Sequence, residues 1–190
     1  MIEYNKYLHY IYHDFRRFET KAEALGSASF PVVFWFRIAT WFYQKNKFLR
    51  FAGIPIYLIY KFHKLATGIQ LPMSTSIGAG LRFFHYNCII IAQESVIGHN
   101  ASIHQGVTIG RIMGGGKSGV PEIGNNVVIF AGAKILGNIK IGDNVVVAAN
   151  AVVVNDVPNN CVVAGVPAKI ISEDSSKCFN ERWSRVFARQ

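Results

Sequence analysis

IGNNVVIFAGAKILGNIKIGDNVVVAANAVVV, residues 123–154, repeats a pattern every six positions. An aliphatic side chain returns at Ile123, Ile129, Ile135, Ile141, Val147 and Val153. A second apolar series keeps step with it at Val127, Ala133, Ile139, Val145, Ala151 and Val157. Upstream, Ile91, Ile97, Ile103 and Ile109 hold the same interval, and a small residue often follows the aliphatic one, as at Gly98, Gly124, Gly142 and Ala148. A period of six fits neither an α-helix nor an alternating strand. It fits a triangular prism, in which six residues form one flat side with the aliphatic residue pointing inward and the small residue easing the turn. Three sides make one coil. No coil can bury its own face alone, so only a stack of coils is stable.

Two irregularities interrupt the repeat. From Phe83 to Ile91 the step is eight residues, which puts His85 to Cys88 on a bulged corner. From Ile109 to Ile123 it is 14, which leaves RIMGGGKSGV (Arg111–Val120) as a flexible Gly-rich loop extruded from a corner. Long loops in compact domains are more often functional than ordinary connections are. Residues 1–68 lack the period and read as a helical region, with helices over Asn5–Ala24 and Phe34–Asn46 and breaks at Pro31, Gly53 and Pro55. The repeat occupies 69–171, and 172–190 form a polar tail or a short closing helix.

The N-terminal region also carries most of the charge. The net charge is +9 over 190 residues, and the first 70 hold 10 Lys/Arg against 4 Asp/Glu together with 18 of the 25 aromatics. Such a segment can lie on an anionic membrane surface. More commonly, its aromatics pack helices together while its charges face water. The longest apolar stretch, Phe30–Tyr43, is too short to span a bilayer and contains Arg37. The N-terminus has no signal-peptide pattern. Cys88, Cys161 and Cys178 are scattered and odd in number, which favours a reducing compartment over a disulfide framework or a zinc site. These features predict a cytoplasmic protein, with peripheral attachment to the inner face of the membrane as an open alternative. Charge without a binding motif gives no case for nucleic acid.

HYNCIIIAQESVIG, SIHQGVTIG, GGGKSG, AGAKILGNI and the closing AGVPAKII carry a likeness. Over residues 68–171 the chain resembles serine acetyltransferases and related hexapeptide-repeat O-acetyltransferases, closest in pattern to the short members of polysaccharide biosynthesis. The resemblance implies an all-β left-handed parallel β-helix with a short α-helical N-terminal region; general connection rules would favour the other hand. It also implies a homotrimer that binds acetyl-CoA as co-substrate between subunits, without a metal.

On position alone, a corner histidine is more often a turn-capping surface residue. The motif makes His85 the match to the family's catalytic histidine. An alcohol attacks a thioester poorly until its proton is removed, and imidazole suits that task near neutral pH. His104, one coil on, is a candidate for acceptor binding, whereas His99 reads as solvated. The resemblance places the pantetheine arm along Gly110, Ala131 and Ala149, and CoA phosphates near Lys169 and Lys117, although solvated lysines are the ordinary alternative.

The departures bear on the acceptor. The family's second histidine is replaced by Val120, its orienting acid by Gln70, and the acid before the catalytic histidine by Phe84. With polar partners for an amino acid lost, a pocket with Phe83, Phe84 and Tyr86 suits a sugar ring as acceptor, since aromatic faces stack on its C–H surface, and Gln70 joins Phe84 and Tyr86 as an acceptor-binding candidate. The sequence therefore favours O-acetylation of a glycan, capsular, exopolysaccharide or lipid-linked. Serine O-acetylation for cysteine synthesis is the alternative. A γ-type carbonic anhydrase built on His85, His99 and His104 is a distant third.

Overall fold

A computed structural model describes residues 2–178. Helices occupy the N-terminal part: α1 (Ile2–Arg16), α2 (Lys21–Gly26), α3 (Ser29–Tyr43), α4 (Lys47–Ala52) and α5 (Ile54–Thr67). The boundaries differ from the sequence reading for local reasons. Asn5–Ala24 is two helices, because Thr20 caps α2 by accepting the Glu23 N–H at 3.0 Å. Pro31 lies in the first turn of α3, where a missing N–H costs nothing, so it does not break the chain. Pro55 occupies the equivalent place in α5. Among the described residues no helix is long and apolar enough to cross a membrane.

From Ile69 the chain winds through three parallel faces. The first face holds β1 (Ile69–Gln70), β4 (Ile89–Ile91), β7 (Thr108–Gly110), β10 (Lys134–Leu136) and β13 (Val152–Val153). The second holds β2 (Ser76–Ile77), β5 (Val96–Ile97), β8 (Glu122–Ile123) and β11 (Lys140–Ile141). The third holds β3 (Arg82–Phe83), β6 (Ser102–Ile103), β9 (Val128–Ile129), β12 (Val146–Val147) and β14 (Val162–Gly165), closed by antiparallel β15 (Ala168–Ser172). The hexapeptide period is realised as expected: Ile123, Ile129, Ile135, Ile141, Val147 and Val153 are all buried in one continuous core. A 3₁₀ turn, Ser175–Cys178, follows. The rest of the expected tail, 179–190, lies outside the described residues.

Strand register locates the two irregularities. Phe83 pairs with Ile103, and Ile103 with Ile129, so the first of these coils is longer than the basic repeat by the bulge and the second by the loop. One corner is built from Asn100, Asn126, Asn144 and Asn160, all at positive φ. Asparagine tolerates this conformation, and each side-chain amide donates to the next side-chain oxygen at 2.9–3.0 Å. At another corner Gly78 packs so closely that a Cβ there would lie 2.8 Å from backbone atoms of the next coil.

The helices are fastened to the first coil by a buried ion pair. Asp14 of α1 accepts Arg37 Nε of α3 at 2.8 Å. Its other oxygen accepts the Gly80 and Leu81 backbone N–H groups, each at 2.8 Å. Arg37 in turn donates to the Ile77 and Gly78 carbonyls at 2.7 and 2.6 Å.

Candidate active site

The corner after the third face carries His85. Two extra residues make this corner bulge, with Asn87 (φ 91°) and Cys88 (φ 51°) in the left-handed region. The Gly106 N–H donates to the Asn87 carbonyl at 3.2 Å and ties the bulge to the next coil. Gly68, at the end of α5, packs against it from the other side: a Cβ there would lie 2.8 Å from Asn87 Oδ1. Held this way, His85 is exposed, and among the described residues no hydrogen bond fixes its ring.

His104 has a different environment. Its ring stacks on Phe84, with centroids 4.8 Å apart and planes 7° apart, and on Phe130 at 5.0 Å. The His85 ring lies 6.0 Å away. Burial, reinforced by the neighbouring His85 and Arg82, pushes His104 down to about 4. It is therefore neutral at physiological pH and a weak base. Phe84 packs against the Arg82 guanidinium, 4.3 Å from ring centroid, as well as against His104. It is thus part of a stacked wall rather than a ring presented to an acceptor. Tyr86 is exposed beside His85. Gln70 sits at the end of the first face opposite Ile90, and no hydrogen bond joins it to His85.

Following the third face along the prism, one step beyond the strands, places His85, Gln105, Ala131 and Ala149 in order along one edge. Gln105, to which the sequence reading assigns no role, is found only by carrying the register one coil on from His85. The Gly132 N–H donates to the Gln105 carbonyl and the Asn150 N–H to the Ala131 carbonyl, both at 2.9 Å. The small side chains leave this edge's backbone open to close approach by an extended ligand. The register carries this edge on to Gly165, and exposed Lys169 pairs with Ala164 one residue before it. Gly110 lies instead on the next edge, where the loop leaves the prism, and Leu136 packs over it.

The loop is more fixed than its glycines suggest. Ile112 and Gly119 exchange two backbone hydrogen bonds of 3.0 Å, and the Lys117 ammonium donates to the Val154 carbonyl and Asn155 Oδ1. Lys117 thus fastens the loop to the last coils, and at the tip, where a Cβ on Gly114, Gly115 or Gly116 would meet open space, Ser118 closes a turn by accepting the Gly114 N–H and donating its own N–H to the Gly115 carbonyl. The three histidines of the carbonic anhydrase alternative do not converge, since His99 sits at another corner and accepts the Ala79 N–H at 3.1 Å. Among the described residues no group of three His, Cys, Asp or Glu is placed to hold a metal ion.

Comparison with known proteins corrects the acceptor. Residues 121–155 match the bacterial transferase hexapeptide (six repeats) family. A serine acetyltransferase of Synechococcus elongatus is 39% identical over 71% of this chain and 53% of its own length. The chain therefore spans about half of that curated relative. A serine acetyltransferase of Neisseria gonorrhoeae solved in complex with serine is 30% identical, with a TM-score of 0.71 over 89% of this chain and 69% of its own. A serine acetyltransferase solved in complex with CoA is 29% identical, with a TM-score of 0.71 over 88% and 68%. These relatives overturn the glycan-acceptor reading and lend no support to closeness to polysaccharide-biosynthesis enzymes. Of the aromatic residues that suggested a sugar platform, Phe83 is buried in the prism core and Phe84 is occupied by His104 and Arg82, which leaves only Tyr86 exposed. With a relative at this identity matched over more than two thirds of its length, the chain belongs to the serine acetyltransferase family of hexapeptide-repeat transferases.

Proposed function

We propose that the chain transfers the acetyl group of acetyl-CoA to the hydroxyl of serine, with His85 as general base. The observation that carries this is the edge itself: an exposed imidazole on a braced bulge, followed along the prism by Ala131 and Ala149. His85 takes the hydroxyl proton as the serine oxygen bonds to the thioester carbonyl carbon. The C–S bond then breaks, and the CoA sulfur leaves with the proton that His85 held. The pantetheine arm runs along the open backbone near Ala131 and Ala149, with Lys169 positioned for a phosphate as a point charge. His104, neutral and stacked, shapes the wall beside the base.

The assembly in this reading is a homotrimer, with sites between neighbouring chains and the left-handed winding of the family. Family resemblance supports both. A monodisperse monomer in light scattering at micromolar concentration would refute the trimer.

Thiol release from acetyl-CoA in the presence of serine tests the chemistry. We expect serine-dependent release, and His85→Ala to lower turnover by roughly 10²–10⁴-fold with acetyl-CoA binding nearly unchanged, because a general base acts in the transition state. No serine-dependent release would overturn the acceptor. A mild His85→Ala beside a crippling His104→Ala would overturn the choice of base.

A further inference from the structure

Helix α5 is apolar on two opposite faces. Ile56 and Tyr60 face the core, Tyr60 being buried and its hydroxyl donating to the Leu71 carbonyl. On the other side Ile54, Leu58, Phe62 and Leu65 form a stripe at helical spacing, and Phe62 and Leu65 are 67% and 75% exposed. The short helix α4 extends the stripe with Phe48 and Phe51, 79% and 74% exposed. Isolated surface hydrophobics need no explanation, but a contiguous row of this size marks a contact surface.

The charges around the stripe identify what it meets. Lys47, Arg50 and Lys61 are exposed on the same two helices, while Lys64 is half-buried over the Tyr60 ring. No Asp or Glu occurs anywhere between Glu23 and Glu94, a stretch that contains seven Lys and Arg. Pairing this face with itself in a second copy would be isologous and would set cations against cations with no carboxylate between them. An anionic lipid surface answers both features at once, since phosphates attract the cations and the acyl boundary takes the apolar side chains. Because neither helix can cross a bilayer, the contact is in the plane of the surface.

We infer that the outer face of α4 and α5 docks the protein on the surface of an anionic phospholipid bilayer. Phe48, Phe51, Leu58, Phe62 and Leu65 enter the headgroup–acyl boundary, and the flanking Lys and Arg side chains sit at the phosphates. The inference is independent of the acetyl acceptor, and its readout is binding rather than turnover.

The test is co-sedimentation of the full chain with phosphatidylcholine vesicles, with and without phosphatidylglycerol. Partition onto the anionic vesicles is expected to exceed that onto phosphatidylcholine alone by at least about tenfold, and to fall as salt is raised. Lys47→Gln with Arg50→Gln should lower it by roughly tenfold or more. Phe51→Ser with Phe62→Ser should lower it by a similar factor while circular dichroism stays unchanged, since both side chains are already in water. Absent or equal binding to the two vesicle types would overturn the inference. So would a wild-type assembly that the Phe51→Ser and Phe62→Ser pair dissolves without any vesicle binding, which would make the face a contact between copies.

Discussion

Asp14→Ala tests how the helical region is joined to the prism. Asp14 and Arg37 are both buried, and the carboxylate satisfies two guanidinium N–H groups and two backbone N–H groups. Removing it leaves the guanidinium in the interior with only the Ile77 and Gly78 carbonyls, while the Gly80 and Leu81 N–H groups lose their acceptor. Breaking one side of a buried ion pair costs about 3–5 kcal/mol. An unsatisfied buried N–H costs about 1–3 kcal/mol, although water entering the cavity would relieve part of this. A loss of at least about 3 kcal/mol is expected. For a chain of this size each kcal/mol shifts Tm by about 2–4 °C, so Tm should fall by roughly 6–20 °C. Asp14→Asn, which keeps an acceptor oxygen for Gly80 and Leu81 but loses the charge, should fall between wild type and Ala. Denaturant unfolding followed by circular dichroism, with calorimetry for Tm, measures all three. A loss below about 1 kcal/mol for Asp14→Ala would show that the pair does not hold the helices to the first coil.

Other outcomes follow from single positions. Ile135→Asp should prevent soluble folding, because a carboxylate in the dry centre of the prism has no partner; a cooperative unfolding transition near that of wild type would contradict the core assignment. Gly78→Ala should destabilise measurably in urea, since its Cβ would meet backbone atoms that cannot swing aside; an unchanged midpoint would show that the corner has slack. His104 stays neutral in the folded protein down to about pH 4, whereas an unfolded histidine protonates near 6.5. Its contribution to stability is therefore complete above about pH 6.5 and is lost as pH falls from there towards 4. An imidazole NMR titration should place the His104 midpoint near 4, and a midpoint near 6.5 would refute its dehydration.

The coil was legible in the sequence because each residue's inward or outward direction depends only on its place in a six-residue unit. That local rule placed Ile123 through Val153 in the core and located the bulge that carries His85. Gln105, Ala131 and Ala149 fall on one line with His85 only when the same rule is carried across coils. The asparagine corner was also periodic, at Asn126 and Asn144, yet its meaning lies in a side-chain ladder between coils. Sequence reasoning failed where the partners are not neighbours in any repeat. Asp14 meets Gly80 and Leu81 across more than sixty residues, and Lys117 meets Asn155 across 38. Phe84 looked like an acceptor platform until the structure stacked it on His104. The sequence reading named no separate helix over α5, and only the structure shows one apolar face of it buried and the other in water. Periodicity records which way a side chain points; only the assembled structure decides what lies in that direction, because those contacts come from segments whose separation along the chain no local pattern encodes.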